Sequence, residues 1–152
     1  LTSSYLPLGA VGMRQSIADA FKDKVFYGGL TYNSHPMGCA AALATIDIME
    51  DPAFLANVRE RGEQLTAGIR ELQSEHDVIA QVRGLGLMVG TEFRDAARVS
   101  AIQKHCLEEG KLILMNAGTY GKCLRWMPPL VVNDREIDLA LAAFAAALKA
   151  TA

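Results

Sequence analysis

The sequence predicts an α/β fold, and three observations carry the prediction. From Val78 onward the hydrophobic pattern runs strand, helix, strand, strand, helix, the order of a short sheet with helices over one face. Ahead of it, Leu55, Val58, Gly62, Leu65, Ile69 and Leu72 recur at alternating spacings of three and four, the stripe of a long amphipathic helix. The chain is also 51% hydrophobic and 21% charged, enough apolar material for a core and too little charge for disorder.

The elements follow in order. Residues 6–13, Leu-Pro-Leu-Gly-Ala-Val-Gly-Met, read as a short buried strand softened by glycines. Arg14 to Phe21 holds one or two helical turns. Gly28 to Ser34 is a loop, and Pro36 suits the first position of the next helix, where its missing N–H costs nothing. Ser34 and His35 stand where a cap would, and Ser34 is the better capping residue. From Met37 to Glu50 the helix is apolar nearly all round. It belongs buried in a larger body, with part of its packing partner missing or in another chain.

Asp51-Pro52 breaks that helix. The amphipathic helix then runs to about Glu75, and Gly62 in its stripe permits another backbone to come close. A boundary falls near residues 74–78. Between Val78 and Phe93 the period changes: Leu87, Val89, Thr91 and Phe93 alternate with Met88, Gly90 and Glu92 in a half-buried strand. Asp95 to Glu109 is a helix with Val99, Ile102 and Cys106 inward and Gly110 as its C-cap. Leu112 to Met115 and Leu124 to Met127 are strands, the second halted by Pro128-Pro129. Asn133 with Glu136 makes a capping-box start, and Ile137, Leu141, Phe144 and Leu148 line the last helix.

Several function classes drop out. A net charge of -2 gives no reason to expect nucleic acid or an anionic membrane surface. No apolar run reaches the roughly 18–20 residues that span a bilayer, and no secretory signal opens the chain. Cys39, Cys106 and Cys123 are widely spaced and odd in number, so reduced thiols of the cytoplasm are expected rather than a disulfide framework. His35, His76 and His105 lack ligand spacing and read as surface or loop residues, so no metal site is expected. The start at Leu1, inside a loop and apolar run, suggests a piece of a longer polypeptide.

Two places carry chemistry. The stretch Gly28-Gly29-Leu30-Thr31-Tyr32-Asn33-Ser34-His35-Pro36 feeds a helix N-terminus. It is either an ordinary capped start or an anion site, in which free N–H groups and the helix dipole meet a negative group and Thr31 adds a hydroxyl. Arg125 stands in an otherwise apolar strand, between Leu124 and Trp126. It lies either on an exposed alternate face or in a carboxylate clamp, since guanidinium binds carboxylate in a two-pronged way. The glycines of Arg83-Gly84-Leu85-Gly86-Leu87-Met88-Val89-Gly90 lead into a strand rather than a helix. They read as a structural bend, not a dinucleotide loop, with Arg83 a surface ion-pair residue. No nucleophile or proton-transfer group is evident.

Together these pieces resemble the C-terminal part of class III aminotransferases, pyridoxal-phosphate (PLP) enzymes of the aspartate-aminotransferase fold. Pro7-Leu8-Gly9-Ala10-Val11, Thr31 to Ala42, Arg83 to Met88, and Leu124-Arg125 with Pro128-Pro129-Leu130 run in family order. The resemblance implies that 1–75 ends the large PLP-binding domain, interdomain helix included, and that 76–152 is the small α/β domain. It implies a homodimer that moves an amino group from an ω-amino acid, such as 4-aminobutyrate, ornithine, β-alanine or taurine, to a 2-oxo acid. In the family a Lys-Gly pair precedes the segment matching Leu1, and that lysine holds PLP as a Schiff base. None of Lys22, Lys24, Lys104, Lys111, Lys122 or Lys149 matches it, so this chain alone is expected to be inactive, with no catalytic residue of its own. Thr31 matches the residue that binds the PLP phosphate of the neighbouring subunit, and Arg125 the substrate-carboxylate arginine. Leu30 departs from the small residue of many members, so a contact there comes from its backbone N–H. A non-catalytic assembly module, or a racemase or aminomutase of the same fold, are the alternative readings.

Overall fold

A computed structural model describes residues 1–152, which form two compact units, Leu1–Asp51 and Pro52–Ala152. The second unit holds the core. A 24-residue helix α3 (Pro52–Glu75) leads into strands β1 (Ile79–Leu85) and β2 (Met88–Phe93). Helix α4 (Ala96–Glu108), β3 (Met115–Ala117), β4 (Cys123–Trp126) and α5 (Asp134–Ala150) follow. The strands pair antiparallel in the order β1-β2-β4-β3.

The sheet's inner face is set by alternation. Val89, Thr91 and Phe93 of β2 and Leu124 and Trp126 of β4 are buried against the helices. The indole N–H of Trp126 donates to the Thr91 hydroxyl at 2.9 Å, which satisfies both buried polar groups. Phe144 of α5 meets the Trp126 ring edge-on with centroids 5.1 Å apart, and Leu65 and Ile69 of α3 complete the layer. The stripe expected for α3 is the one that packs. At Gly62 an added Cβ would lie 2.5 Å from the Gly86 backbone, so the glycine lets the hairpin turn sit against the helix. Val99, Ile102 and Cys106 of α4 face inward as expected, and burial alone pushes the Cys106 thiol up to about 11. The Asn133–Glu136 capping box is complete.

Several local expectations change. Val78 to Phe93 is two strands, because Gly86, at a φ of +55°, takes the first position of a two-residue hairpin turn. The strand expected at 112–115 lies at Met115–Ala117, where it pairs with β4. Gly110 does not adopt the left-handed conformation after α4; Lys111 does, at a φ of 52°. Gly110 instead lets α5 approach, since a Cβ there would lie 2.8 Å from that of Ala143. By packing, the chain divides after Asp51, because the α3 stripe packs on the sheet.

Unit Leu1–Asp51 contains α1 (Gln15–Asp19) and α2 (Pro36–Met49). Residues 6–13 form no strand, as no other segment of the chain supplies a ladder for them. Only Thr2, Gly38 and Ala42 are buried here, and Leu43, Ile46, Ile48 and Met49 of α2 are exposed. No helix is long and apolar enough to cross a membrane.

Candidate functional site

The first candidate lies at the start of α2. The chain turns at Leu30–Asn33, where the Asn33 N–H donates to the Leu30 carbonyl at 2.9 Å. Ser34 follows in the left-handed region at a φ of 55°, which removes it from the cap position expected for it. His35 is the N-cap instead, and its ring stacks on Tyr32 at 4.4 Å rather than capping the helix. Pro36 occupies the first turn as expected. The N-terminus of this 14-residue helix therefore carries no side-chain cap and no acidic residue in its first turn. Thr31, one turn upstream, is exposed and its hydroxyl makes no hydrogen bond within the chain. Unused donors, a positive dipole end and no competing carboxylate are the donor set a phosphate requires.

The second candidate is Arg125, in the middle of β4. Leu124 and Trp126 point into the core, so Arg125 stands on the opposite face of the sheet. There it pairs in register with Gly90 of β2 on one side and Met115 of β3 on the other. Its Nη2 reaches the Met115 sulfur at 3.5 Å, and its Nε is buried without a partner. No carboxylate of the chain pairs with it. The guanidinium is fixed by its strand and left electrically unanswered, which suits an external carboxylate. A cleft of about 610 Å³ adjoins it, lined mostly by apolar groups including Trp126, Met127, Pro128 and Ile137. The other polar side chains on its wall, Asn133 and Glu136, are occupied by each other's backbone in the capping box.

Arg83 is the surface ion-pair residue its sequence setting predicts: its Nη2 lies 2.7 Å from Glu92 Oε2. Arg83, Gly90 and Arg125 form one cross-strand row, with Glu92 and Cys123 in the next. This neighbourhood of Arg125 is not evident from the chain order. The signal for it was the period-two alternation, which puts Gly90 and Glu92 on the outer face. No group of three or more His, Cys, Asp or Glu comes together in a way that would hold a metal ion.

Known proteins resemble the chain in sequence and in fold. Residues 1–148 match the family profile described as aminotransferase class-III. The chain is 41% identical over 131 residues to the 5-aminovalerate aminotransferase DavT of Pseudomonas putida, covering 80% of this chain and 31% of that protein. It is 39% identical over 149 residues to the acetylornithine aminotransferase of Thermosynechococcus vestitus, covering 94% and 34%. Among solved structures, a PLP-bound amine transaminase from an uncultivated Pseudomonas species superposes with a TM-score of 0.88 at 30% identity, covering 99% of this chain and 37% of that one. The chain thus spans about a third of the length of these relatives. Its α/β architecture is the aspartate-aminotransferase-like PLP fold of those neighbours. On the profile, the relatives and the fold together, the chain belongs to the class III aminotransferases.

Proposed function

We propose that this chain serves as the C-terminal part of a PLP-dependent aminotransferase that moves an amino group from an ω-amino acid to a 2-oxo acid, as a homodimer in the cytoplasm. The observation that carries the reading is Arg125: one arginine, fixed in a strand, with no anionic partner in the chain. Relatives are named for 5-aminovalerate and acetylornithine, both of which bear a carboxylate. PLP, when bound, supplies the group that takes up the migrating amine. Thr31 donates its hydroxyl to the cofactor phosphate of the neighbouring subunit, and the uncapped start of α2 places positive dipole beside that charge. Arg125 grips the substrate carboxylate through two parallel N–H···O bonds and so orients the amino end of the substrate. None of the six lysines matches the Schiff-base residue, so these 152 residues by themselves carry no amino-transfer activity.

Arg125→Lys in the holoenzyme tests this reading, because it keeps the charge and removes the fork. Carboxylate-bearing amino donors and 2-oxo acids should lose at least about tenfold in kcat/KM, about 1.4 kcal/mol of transition-state binding. Simple amines without a carboxylate should lose much less, at equal PLP occupancy. An equal loss for both classes would make Arg125 a support of the fold.

A further inference from the structure

Within this chain the side chain that meets the Arg125 guanidinium is a thioether. Strand β3 is three residues long and forms one edge of the sheet, and Met115 opens it directly opposite Arg125 of β4. Residues directly opposite on neighbouring antiparallel strands share a face, with Cβ atoms about 4.5–5.5 Å apart. Arg125 Nη2 donates to Met115 Sδ at 3.5 Å. A thioether sulfur is a weak acceptor, so this bond steers the guanidinium more than it holds it. Met115 is also 50% exposed, so a small solute reaches its sulfur. Met88 and Met127 are as open to solvent, and the contact with Arg125 is what sets Met115 apart.

Oxidation changes the character of that neighbour. A peroxide hands one oxygen to the sulfur lone pair: the S–O bond forms as the O–O bond breaks, the sulfur gives up two electrons, and hydrogen peroxide is reduced to water. The product is a polar sulfoxide. Its oxygen carries partial negative charge and lies one bond from the atom that Arg125 already faces. Hydrogen bonds from a charged donor are roughly twice as strong as neutral ones, so the guanidinium gains a far better acceptor at the same place. We propose that Met115 is an oxidative modification site: its sulfoxide oxygen accepts from the Arg125 guanidinium and competes with a substrate carboxylate for the same donors. Enzymatic reduction of the sulfoxide returns the thioether, which makes the change reversible. The proposal rests on the reading of Arg125 as the carboxylate's partner.

The experiment treats the holoenzyme with hydrogen peroxide, then with dithiothreitol to restore sulfenates at Cys39 and Cys123, and maps the sulfoxides by mass spectrometry. Calorimetry then measures binding of valerate, a carboxylate without an amino group. With Met115 oxidised, the enzyme should bind valerate at least about fivefold more weakly, and methionine sulfoxide reductases should restore the affinity. Met115→Leu, whose side chain takes up no oxygen, should hold its own affinity within about twofold through the same treatment, although the other methionines are oxidised. Met115→Gln, which puts a carbonyl oxygen near the place of the sulfur, should bind valerate weakly without any peroxide. Equal losses in the unmodified enzyme and Met115→Leu overturn the proposal, as does unchanged affinity at full oxidation of Met115 or a Met115 that peroxide does not oxidise. A loss that Met115→Gln does not reproduce overturns it too, since that would trace the effect to a distorted edge strand. Arg125→Lys run beside them separates the two claims. If it binds valerate as the unmodified enzyme does, the carboxylate reading of Arg125 fails; if it weakens binding and oxidation of Met115 does not, only the role of Met115 fails.

Discussion

Residues 1–51 and 52–152 are both rich in apolar side chains and meet opposite fates. In 52–152 the stripe of α3 finds the sheet, α4 and α5 cover the same face, and Leu65, Ile69, Phe93, Ile102, Leu124 and Phe144 are fully buried or nearly so. In 1–51 the helix α2, apolar on nearly every side, buries only Gly38 and Ala42. Hydrophobic patterning states what an element needs to bury; it does not say whether the same chain provides the partner. The two candidate sites divide along this line. Arg125 is held by a packed strand, whereas Thr31 lies on an exposed loop whose chemistry is offered outward.

The comparison is sharpest in stability. Phe144→Ala, in the core of 52–152, should cost about 3–5 kcal/mol in urea unfolding of the chain. Ile48→Ala, on the exposed surface of α2, should stay within about 0.5 kcal/mol. Comparable losses at both positions would erase the distinction between the units.

The cysteines give a second probe, because Cys39 is exposed on α2 and Cys106 is buried in the core. A thiol-labelling reagent should modify Cys39 first and reach Cys106 only when the core opens. Burial raises the Cys106 thiol from its ordinary 9.0 to about 11. A raised folded-state value means that its contribution is fully present below pH 9.0 and is lost as the pH rises through 11. Urea midpoints between pH 8 and 11 should therefore fall more steeply for the unmodified chain than for Cys106→Ala. Parallel slopes would contradict the burial.

At the other site the effect should appear in function without stability. If Thr31 holds the cofactor phosphate as proposed, Thr31→Ala in the holoenzyme should remove one hydrogen bond to a charged group, about 1.5–3 kcal/mol, or roughly ten- to a hundredfold in PLP affinity. Folding should be unaffected, since the hydroxyl has no partner in its own chain. Unchanged PLP affinity would return Thr31 to the role of a plain loop residue.

How much of this was legible in the sequence follows from the same contrast. Helices α3, α4 and α5 were readable because Pro52, Asp95 and the Asn133–Glu136 box mark their starts and their stripes meet partners in the chain. In sequence the hairpin looks like one strand because Gly84, Gly86 and Gly90 blur the pattern, and only Gly86 makes the turn. Residues 6–13 have the composition of a strand, but a strand also needs a neighbour to bond with. Ser34 is the better capping residue, and the left-handed backbone it adopts passes the cap to His35. Arg125 stood out as a lone charge among apolar residues. Its relation to Glu92 and Arg83 depends on sheet register across three strands, which the order of residues does not contain.

Hydrogen exchange on the 152-residue chain tests the contrast between its two parts most directly. Amides of β1, β2, β4, α3 and α5 should exchange slowly and together, near the free energy of global unfolding, while those of α2 should exchange close to the unprotected rate despite their helical bonds. Protection in α2 equal to that in α3 would show that residues 1–51 are stabilised within this chain, and would contradict the division drawn here.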